Sequence, residues 1–476
     1  MPENQKRIDS SARTDAAIAG GEQTRLSKVI FYALCAIIVF SVIAFGAVNS
    51  WALGVLSILS AFIAVFWLAD SWLKKEFSFN TSVLQLPLLA LILIGVVQLL
   101  PLRQLDIPAD LLSTPAVGSL SLAPYATRLA IVQLIVFFVF FSAALRFVNN
   151  KDRLRKIVFL LIIFGSLMAF FGLLQHFADV EKIYGVRVTD QASPFGSFVN
   201  KHHFAAFMEM TIGVTLGLLF GKALKDNKRI FLVVAAVVMG MTIVFTGSRG
   251  GFLSLLGVIV FVVAANLLQK PAGDEMDIAI EDGKNYRRNF AFIGGGVALI
   301  IILFGAVLLL SGDAALLRGV GLQNPTEASN GRIHFWHVAL QIFRDHPILG
   351  AGLDSFGTVF TQYDTWNGIY RIDQAHNDYL QILADAGILG FACAATFIFL
   401  LFKKGWQTIS ESLDRFRRGA AVGALAGCFG ILLHSFVDFP LRTTSNSFVF
   451  LALAVLATAS VDLRKSSRSK RLTKTV

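Results

Sequence analysis

Charge is scarce in this chain, with Asp, Glu, Lys and Arg making up 15% of its 476 residues, against about 25% in a soluble domain. Hydrophobic residues fill the gap at 55%, and the mean hydropathy is +0.67. Together these exclude a soluble enzyme. The 43 Phe residues exclude a disordered or low-complexity chain, since such chains are poor in aromatic and apolar residues. Cysteine is nearly absent. Cys35, Cys393 and Cys428 fall inside apolar runs at no metal-ligand spacing, so they read as small buried hydrophobes rather than as a disulfide or metal site. No internal repeat is visible. No cleavable signal peptide is visible either: the first 28 residues are polar, and the apolar run from Val29 to Val48 exceeds a signal core of about 7 to 15 residues. It reads as a first membrane span that stays.

Acidic residues are fewer than basic ones, 31 against 42, which leaves a net charge of +11. The basic residues sit in short clusters between long apolar runs. That distribution encodes membrane orientation and gives no sign of nucleic-acid binding.

A bilayer core of about 30 Å needs roughly 20 helical residues. Twelve segments supply or approach that length: Val29 to Val48, Trp51 to Ala69, Val83 to Leu102, Leu129 to Leu145, Ile157 to Leu174, Phe204 to Phe220, Ile230 to Thr246, Gly251 to Leu268, Phe290 to Leu310, Gly387 to Phe402, Gly419 to Phe436 and Ser445 to Val461. The runs lack the strict alternation of a membrane barrel, so the expected fold is all-α and polytopic. The expected organisation is an N-terminal tail over 1–28, spans one to nine over 29–312, a helical loop over 313–386, spans ten to twelve over 387–461 and a basic tail over 462–476.

With both termini inside, the inner segments hold 31 Lys and Arg and the outer segments 11. This bias predicts cytoplasmic N- and C-termini. The composition of the minority is informative. Inside, Arg and Lys number 15 and 16; outside they number 9 and 2, namely Arg103, Arg128, Arg187, Arg249, Arg318, Arg332, Arg344, Arg371, Arg442, Lys182 and Lys201. Arginine holds phosphate oxygens with a planar fork, whereas lysine is a mobile point charge. The excess fits phosphate recognition on the outer face, and equally the preference of arginine for interfaces.

Soluble mass is concentrated in the outer loop from Asp313 to Ala386, 74 residues long. A connection of that length is functional or disordered, and this one has helical patterning. Asn330 and Gly331 can start a helix in which Ile333, Trp336, Leu340 and Phe343 recur at spacings of 3, 4 and 3, a stripe for the membrane surface or the bundle. Pro347 and Gly350 end it. A second helical stretch runs into the tenth span, with Asn377, Gln381 and Asp385 on a polar face and Tyr379, Leu380 and Leu383 on another. His376 stands at its start, where the positive end of the helix dipole disfavours the imidazolium and leaves a ring able to accept a proton. A solvated or capping histidine is the plainer alternative.

Two further residues are singled out. Arg249 stands in Thr246-Gly247-Ser248-Arg249-Gly250-Gly251, a tight outer turn where backbone amides can approach a ligand or where an arginine can snorkel. Glu209 lies five residues into the sixth span, and an acid there needs a partner or a wet cavity; an arginine beside it is the expectation.

Taken together, these segments resemble the O-antigen ligase and polymerase superfamily. The resemblance rests on Gly196 to Asn200, Thr246 to Gly251, Gly331-Arg332 with Trp336, Asp345 to Gly352, Ala375-His376-Asn377-Asp378-Tyr379-Leu380, Gly387 and His434 to Phe439, in this order and with the long loop between spans nine and ten. It covers roughly Phe198 to Phe450; the first 190 residues match only as apolar spans. The family often has Glu where this chain has Asp385. The resemblance implies a glycan transferred on the periplasmic face of the inner membrane, from undecaprenyl diphosphate to an acceptor hydroxyl on a glycan, lipid A core or protein. By similarity, Arg249 and Arg332 grip the diphosphate and His376 is the general base, with Glu209, Asp438 and Arg442 as second-rank candidates. Asp438 and Arg442 are expected to pair with each other. No outer segment contains an Asp-x-Asp pair, so neither a metal nor a cofactor is expected. The expected partners are the lipid-linked donor, the acceptor and membrane lipids, with no nucleic acid.

A secondary transporter or a flippase of lipid-linked glycans is the alternative class. Two six-span halves are usually joined by a long inner connection, yet here spans six and seven are joined only by Gly221 to Arg229. The long outer loop favours an enzyme.

The charge distribution predicts that a reporter fused after Gln323 reads periplasmic and one fused after Asp226 reads cytoplasmic. The reverse pair of readings would overturn the membrane map.

Overall fold

The computed structural model describes residues 24–104, 117–178, 180, 182–189, 193–268, 331–365 and 372–459. The two tails, the ninth span from Phe290 to Leu310, the loop from Asp313 to Asn330 and most of Gln362 to Ile372 lie outside the described residues. The regular structure among the described residues is helical apart from a two-residue antiparallel ladder, Arg103–Gln104 with Val117–Gly118, and two isolated bridges, Ile183 with Arg187 and Phe195 with Phe198. The protein is an all-α, multi-pass membrane protein. The helices are α1 (Arg25–Ile43), α2 (Ser50–Lys74), α3 (Gln85–Gln98), α4 (Pro124–Phe147), α5 (Lys151–Phe177), α6 (Lys201–Phe220), α7 (Asp226–Phe245), α8 (Arg249–Leu267), α9 (Arg332–Asp345), α10 (Phe356–Tyr363), α11 (Asp378–Glu411), α12 (Arg415–His434) and α13 (Thr444–Thr458). All but α9 and α10 coincide with an expected span.

Helices α6 and α12 form the interior. Their apolar windows are 89% and 83% buried, against 28–50% for the other long helices, which leave a side to lipid. Small residues make this possible. Gly213 and Gly217 of α6, with Gly221 just past its end, face Gly427, Gly423 and Gly419 of α12 in antiparallel order, and a Cβ added at Gly217 would lie 2.4 Å from Gly423 N. The two backbones therefore touch. In lipid, where no hydrophobic force drives helices together, this close dispersion contact is a main source of cohesion. Helix α8 leans on both, with Val258 against Gly430 and Gly251 against Ala205.

Helix α13 is only 15 residues long, about 22 Å at 1.5 Å per residue, yet Thr444 to Ala457 are all buried. Its shortness is tolerated because protein surrounds it. Helix α3, 14 residues long, ends in Gln98, which is buried and ties the bundle to the loop. Its Nε2 donates to Leu349 O (2.6 Å) and Asp385 O (2.9 Å), and its Oε1 accepts from Leu353 N (2.8 Å).

The first helix read in the loop forms where expected but turns a different face inward. Helix α9 starts at Arg332 and ends before Pro347, as read. Its buried face, however, is Phe335, Val338, Ala339 and Ile342, packed on Phe356, Val359, Phe360 and Ala384. Ile333 and Leu340 of the expected stripe are exposed. Both stripes have helical spacing, and the smaller, tighter one fits against the α10 and α11 backbones. Helix α11 joins the loop to the membrane across Gly387, whose backbone is non-helical (φ 61°, ψ −162°). Gly350 (φ 72°) and Gly387 stack backbone on backbone here: a Cβ at Gly350 would meet Asp385 C at 2.4 Å, and one at Gly387 would meet Ile348 O at 2.4 Å.

A side chain in the α6–α12 seam should be far costlier than one on the lipid side. Gly217→Leu should lower stability by roughly 1–3 kcal/mol or more, the usual cost of overpacking, read as thermal stability in detergent. Gly54→Leu, where a Cβ meets nothing within 4 Å, should be neutral. Equal stability of the two variants would mean that the helices part without cost.

Candidate functional site

Three helices begin at the loop-bearing face with side-chain caps. Asn200 accepts from His202 N at the start of α6, Ser248 accepts from Gly251 N at the start of α8, and Asn377 accepts from Tyr379 N and Leu380 N at the start of α11. Each cap satisfies orphan donors of a first turn. Each also fixes a neighbour of interest: Lys201 and His202, Arg249, and His376.

The first residues of α6, α8 and α9 are Lys201, Arg249 and Arg332. A cation at a helix N-terminus opposes the macrodipole. Here three of them line one cavity of about 340 Å³, together with His202, Ser248, His434 and Asp438. The amide-bearing ends of α6, α8 and α9 and three cations thus meet in one place, the arrangement that suits an anion.

Asp438, buried, is the counter-charge. Its Oδ2 lies 3.6 Å from Arg332 Nη2, and its Oδ1 lies 3.3 Å from His376 Nδ1, close enough to pair though off the line of a hydrogen bond. Burial pushes its carboxyl up, but the His376 contact and the surrounding imidazoles outweigh burial and hold it well below the usual carboxylate range. Burial lowers the Arg332 guanidinium; Asp438 opposes this and Arg249 adds to it. The expected Asp438–Arg442 pair is not formed. Arg442 instead binds Asp385 directly and Asp354 Oδ1 at 3.1 Å, because the turn Pro440–Arg442 carries it to the opposite side of the segment from Asp438.

His376 sits one residue before the Asn377 cap, with φ at +52°. A non-glycine residue there costs of order 1–3 kcal/mol and persists only where its surroundings impose it. Phe439 packs edge-on against the ring at 4.7 Å, and Phe335 of α9 lies 5.9 Å away. The polar face of α11 appears as read: Gln381 Oε1 accepts from Ala375 N (2.6 Å), and its Nε2 donates to Asp385 Oδ2 (3.2 Å).

Glu209 has a partner, but it is a histidine rather than the expected arginine. His434 Nδ1 lies 2.9 Å from Glu209 Oε1, with both side chains buried, and Glu209 Oε2 has no hydrogen bond among the described residues. His434 carries this pair to the cavity wall. Neighbouring His203 Nδ1 meets Thr443 Oγ1 at 2.7 Å, and His202 Nδ1 meets Ser248 Oγ at 2.8 Å. Sequence reading missed Lys201, His202 and His434 as cavity residues. Their signal was position: Lys201 and His202 directly follow the Gly196 to Asn200 segment, and His434 opens the His434 to Phe439 segment. The structure thus gathers Arg249, Arg332 and Asp438 at one cavity, puts His376 against Asp438 and Glu209 behind His434, and sets Arg442 apart.

Residues 234–395 match the family model described as O-antigen ligase. No curated protein matches the chain. The matched stretch holds Arg249, Arg332 and His376, while Lys201, His434 and Asp438 reach the same cavity from outside it. The match shows an O-antigen ligase domain over residues 234–395, the stretch that holds most of the motifs carrying the resemblance.

Proposed function

We infer that the protein is a glycosyltransferase of the inner membrane, moving a glycan from undecaprenyl diphosphate to an acceptor hydroxyl on the periplasmic face, as an O-antigen ligase or as a polymerase of a surface polysaccharide. The observation that carries this reading is the convergence of Lys201, Arg249 and Arg332, each the first residue of a helix, on one cavity. Helices are less stable for starting with a cation, and an anionic ligand repays that. The orientation in this reading follows the 31-to-11 split of basic residues: both termini cytoplasmic and the loop over 313–386 periplasmic.

In the reaction, the acceptor oxygen bonds to the anomeric carbon as the bond from that carbon to the diphosphate breaks. The electron pair of the broken bond stays on the diphosphate, where Arg249 and Arg332 stabilise the growing charge. The acceptor proton goes to His376. With Nδ1 turned to Asp438, Nε2 is the nitrogen left to take it. Asp438 orients the ring and balances the charge that the ring acquires. The acceptor reading embraces a glycan, lipid A core or a protein hydroxyl, since donor chemistry is shared by all three.

Transfer measured in liposomes with purified protein and a lipid-linked glycan donor tests the reading; movement of the donor across the bilayer without transfer would replace it with transport. Arg332→Lys keeps the charge and loses the bidentate fork, so transfer should fall steeply while membrane insertion is normal. Wild-type turnover in that variant would reduce Arg332 to an anchor of α9.

His376→Ala should lower turnover by about 10² to 10⁴, the usual worth of a general base, with donor binding nearly unchanged. Gln at this position should rescue little, because it accepts no proton. EDTA should leave the wild-type rate unchanged. Loss of donor binding in the Ala variant would move His376 into the diphosphate grip, and inhibition by EDTA would sink the metal-free reaction.

A further inference from the structure

A second cavity, of about 270 Å³, lies on the other side of the segment that carries Asp438. His434, Val437 and Asp438 face the polar cavity, whereas Leu432, Ser435, Leu441 and Arg442 of the same stretch face the second one. Its body is an apolar slot between α3, α4, α11 and α13, walled by Leu88, Leu134, Phe137, Phe397 and Phe450. From the Gly387 break to Phe397 is about 15 Å of helix, half of a core about 30 Å thick. The slot therefore runs from the loop-bearing face towards the middle of the membrane. That is the depth of one lipid chain.

The mouth of the slot is charged, and its sign differs from that of the polar cavity. Asp354, Asp378 and Asp385 stand there against one guanidinium, Arg442. Asp385 is occupied by Arg442, Gln381 Nε2 and Phe356 N. Asp378 Oδ2 accepts from Ser435 Oγ (2.7 Å) and Leu441 N (3.2 Å), while its Oδ1 accepts no hydrogen bond among the described residues. The Asp354 side chain is 44% exposed, and its Oδ1 alone meets Arg442. Two carboxylate oxygens are thus left at the mouth, suited to hydroxyl donors and repelling phosphate. A diphosphate belongs with the three cations next door, not here. The mouth is also near the reacting groups, because Asp378 follows His376 by two residues and Asn377 Nδ2 donates to Phe436 O at 2.9 Å.

We propose that this slot is a binding site for a glycolipid, the chain held between α3, α4, α11 and α13 and the hydroxyl-bearing head held by Asp354 and Asp378. Its role as the acceptor's site rests on the transfer reading; its selectivity for a hydroxyl head over a phosphate head does not.

Photolabelling of the full chain in nanodiscs tests the site directly, using dodecyl glucoside and dodecyl phosphate that carry a diazirine at the chain end. The glucoside should label Cys393, Ala394, Phe397, Ile398, Phe450 and Leu451 of the slot at least about tenfold more than the phosphate does. Lipid-facing Phe399, 64% exposed, serves within the same stretch as the reference that both probes reach equally. Ala394→Trp, which fills the slot, should abolish the selective labelling. Asp354→Asn with Asp378→Asn, which keeps the slot open, should narrow the preference between heads. Equal or stronger slot labelling by the phosphate would overturn the proposal in favour of a donor tail or bulk lipid. In transfer assays, Ala394→Trp should raise KM about tenfold for a lipid-bearing acceptor and leave KM for the same glycan without its lipid unchanged. Selective labelling without any transfer would sink the transfer reading and keep the slot; transfer with unselective labelling would do the reverse.

Discussion

The contact between the backbones of α6 and α12 is the constraint from which the rest follows. Only glycine at Gly213, Gly217, Gly419, Gly423 and Gly427 lets two helices approach until main chain meets main chain. At that separation Glu209 comes within hydrogen-bond reach of His434, and His203 within reach of Thr443. Farther along, the stretch after α12 is brought across the start of α8, so that Asp438 comes to the wall shared with Arg249. A seam of small residues thus sets the distances among the buried polar residues behind the cavity. The polar residues contribute little cohesion in return, since buried ion pairs roughly balance their own desolvation.

Stability and function pull against each other around this cavity. Lys201, Arg249 and Arg332 each occupy the helix position where a carboxylate would be favoured, and His376 holds a backbone conformation that a residue with a Cβ avoids. Compensation comes from the caps Asn200, Ser248 and Asn377, from Phe335 and Phe439 around the His376 ring, and from Gln98, which holds the loop by three hydrogen bonds. A tightly held scaffold carries locally unfavourable residues into position, as sites that must be preorganised require.

Most spans were legible because a run of about 20 apolar residues has no other use in a helical protein. The caps were legible in part, through Asn377 and the Thr246 to Gly251 turn. What stayed hidden depends on contacts between distant residues. Glu209 announced its need for a partner by its place in an apolar run, but nothing local identifies His434, 225 positions away. Asp438 and Arg442 are one helical turn apart in sequence, which invites pairing, yet the intervening turn at Pro440 sends them to different partners. The orientation of α9 was ambiguous for another reason: it is apolar on two sides, and periodicity alone does not say which side meets protein.

Asp438 stands between Arg332 and His376 and is the counter-ion to both. An anion entering the cavity therefore meets a guanidinium that is already half neutralised, and its arrival is an exchange of one counter-ion for another rather than the filling of a bare charge. Arg332 is thereby spared standing as an uncompensated cation at the edge of the membrane. The affinity that the cavity displays is consequently a difference between two pairings, and the carboxylate released from Arg332 is left with the imidazole as its one remaining neighbour of the pair.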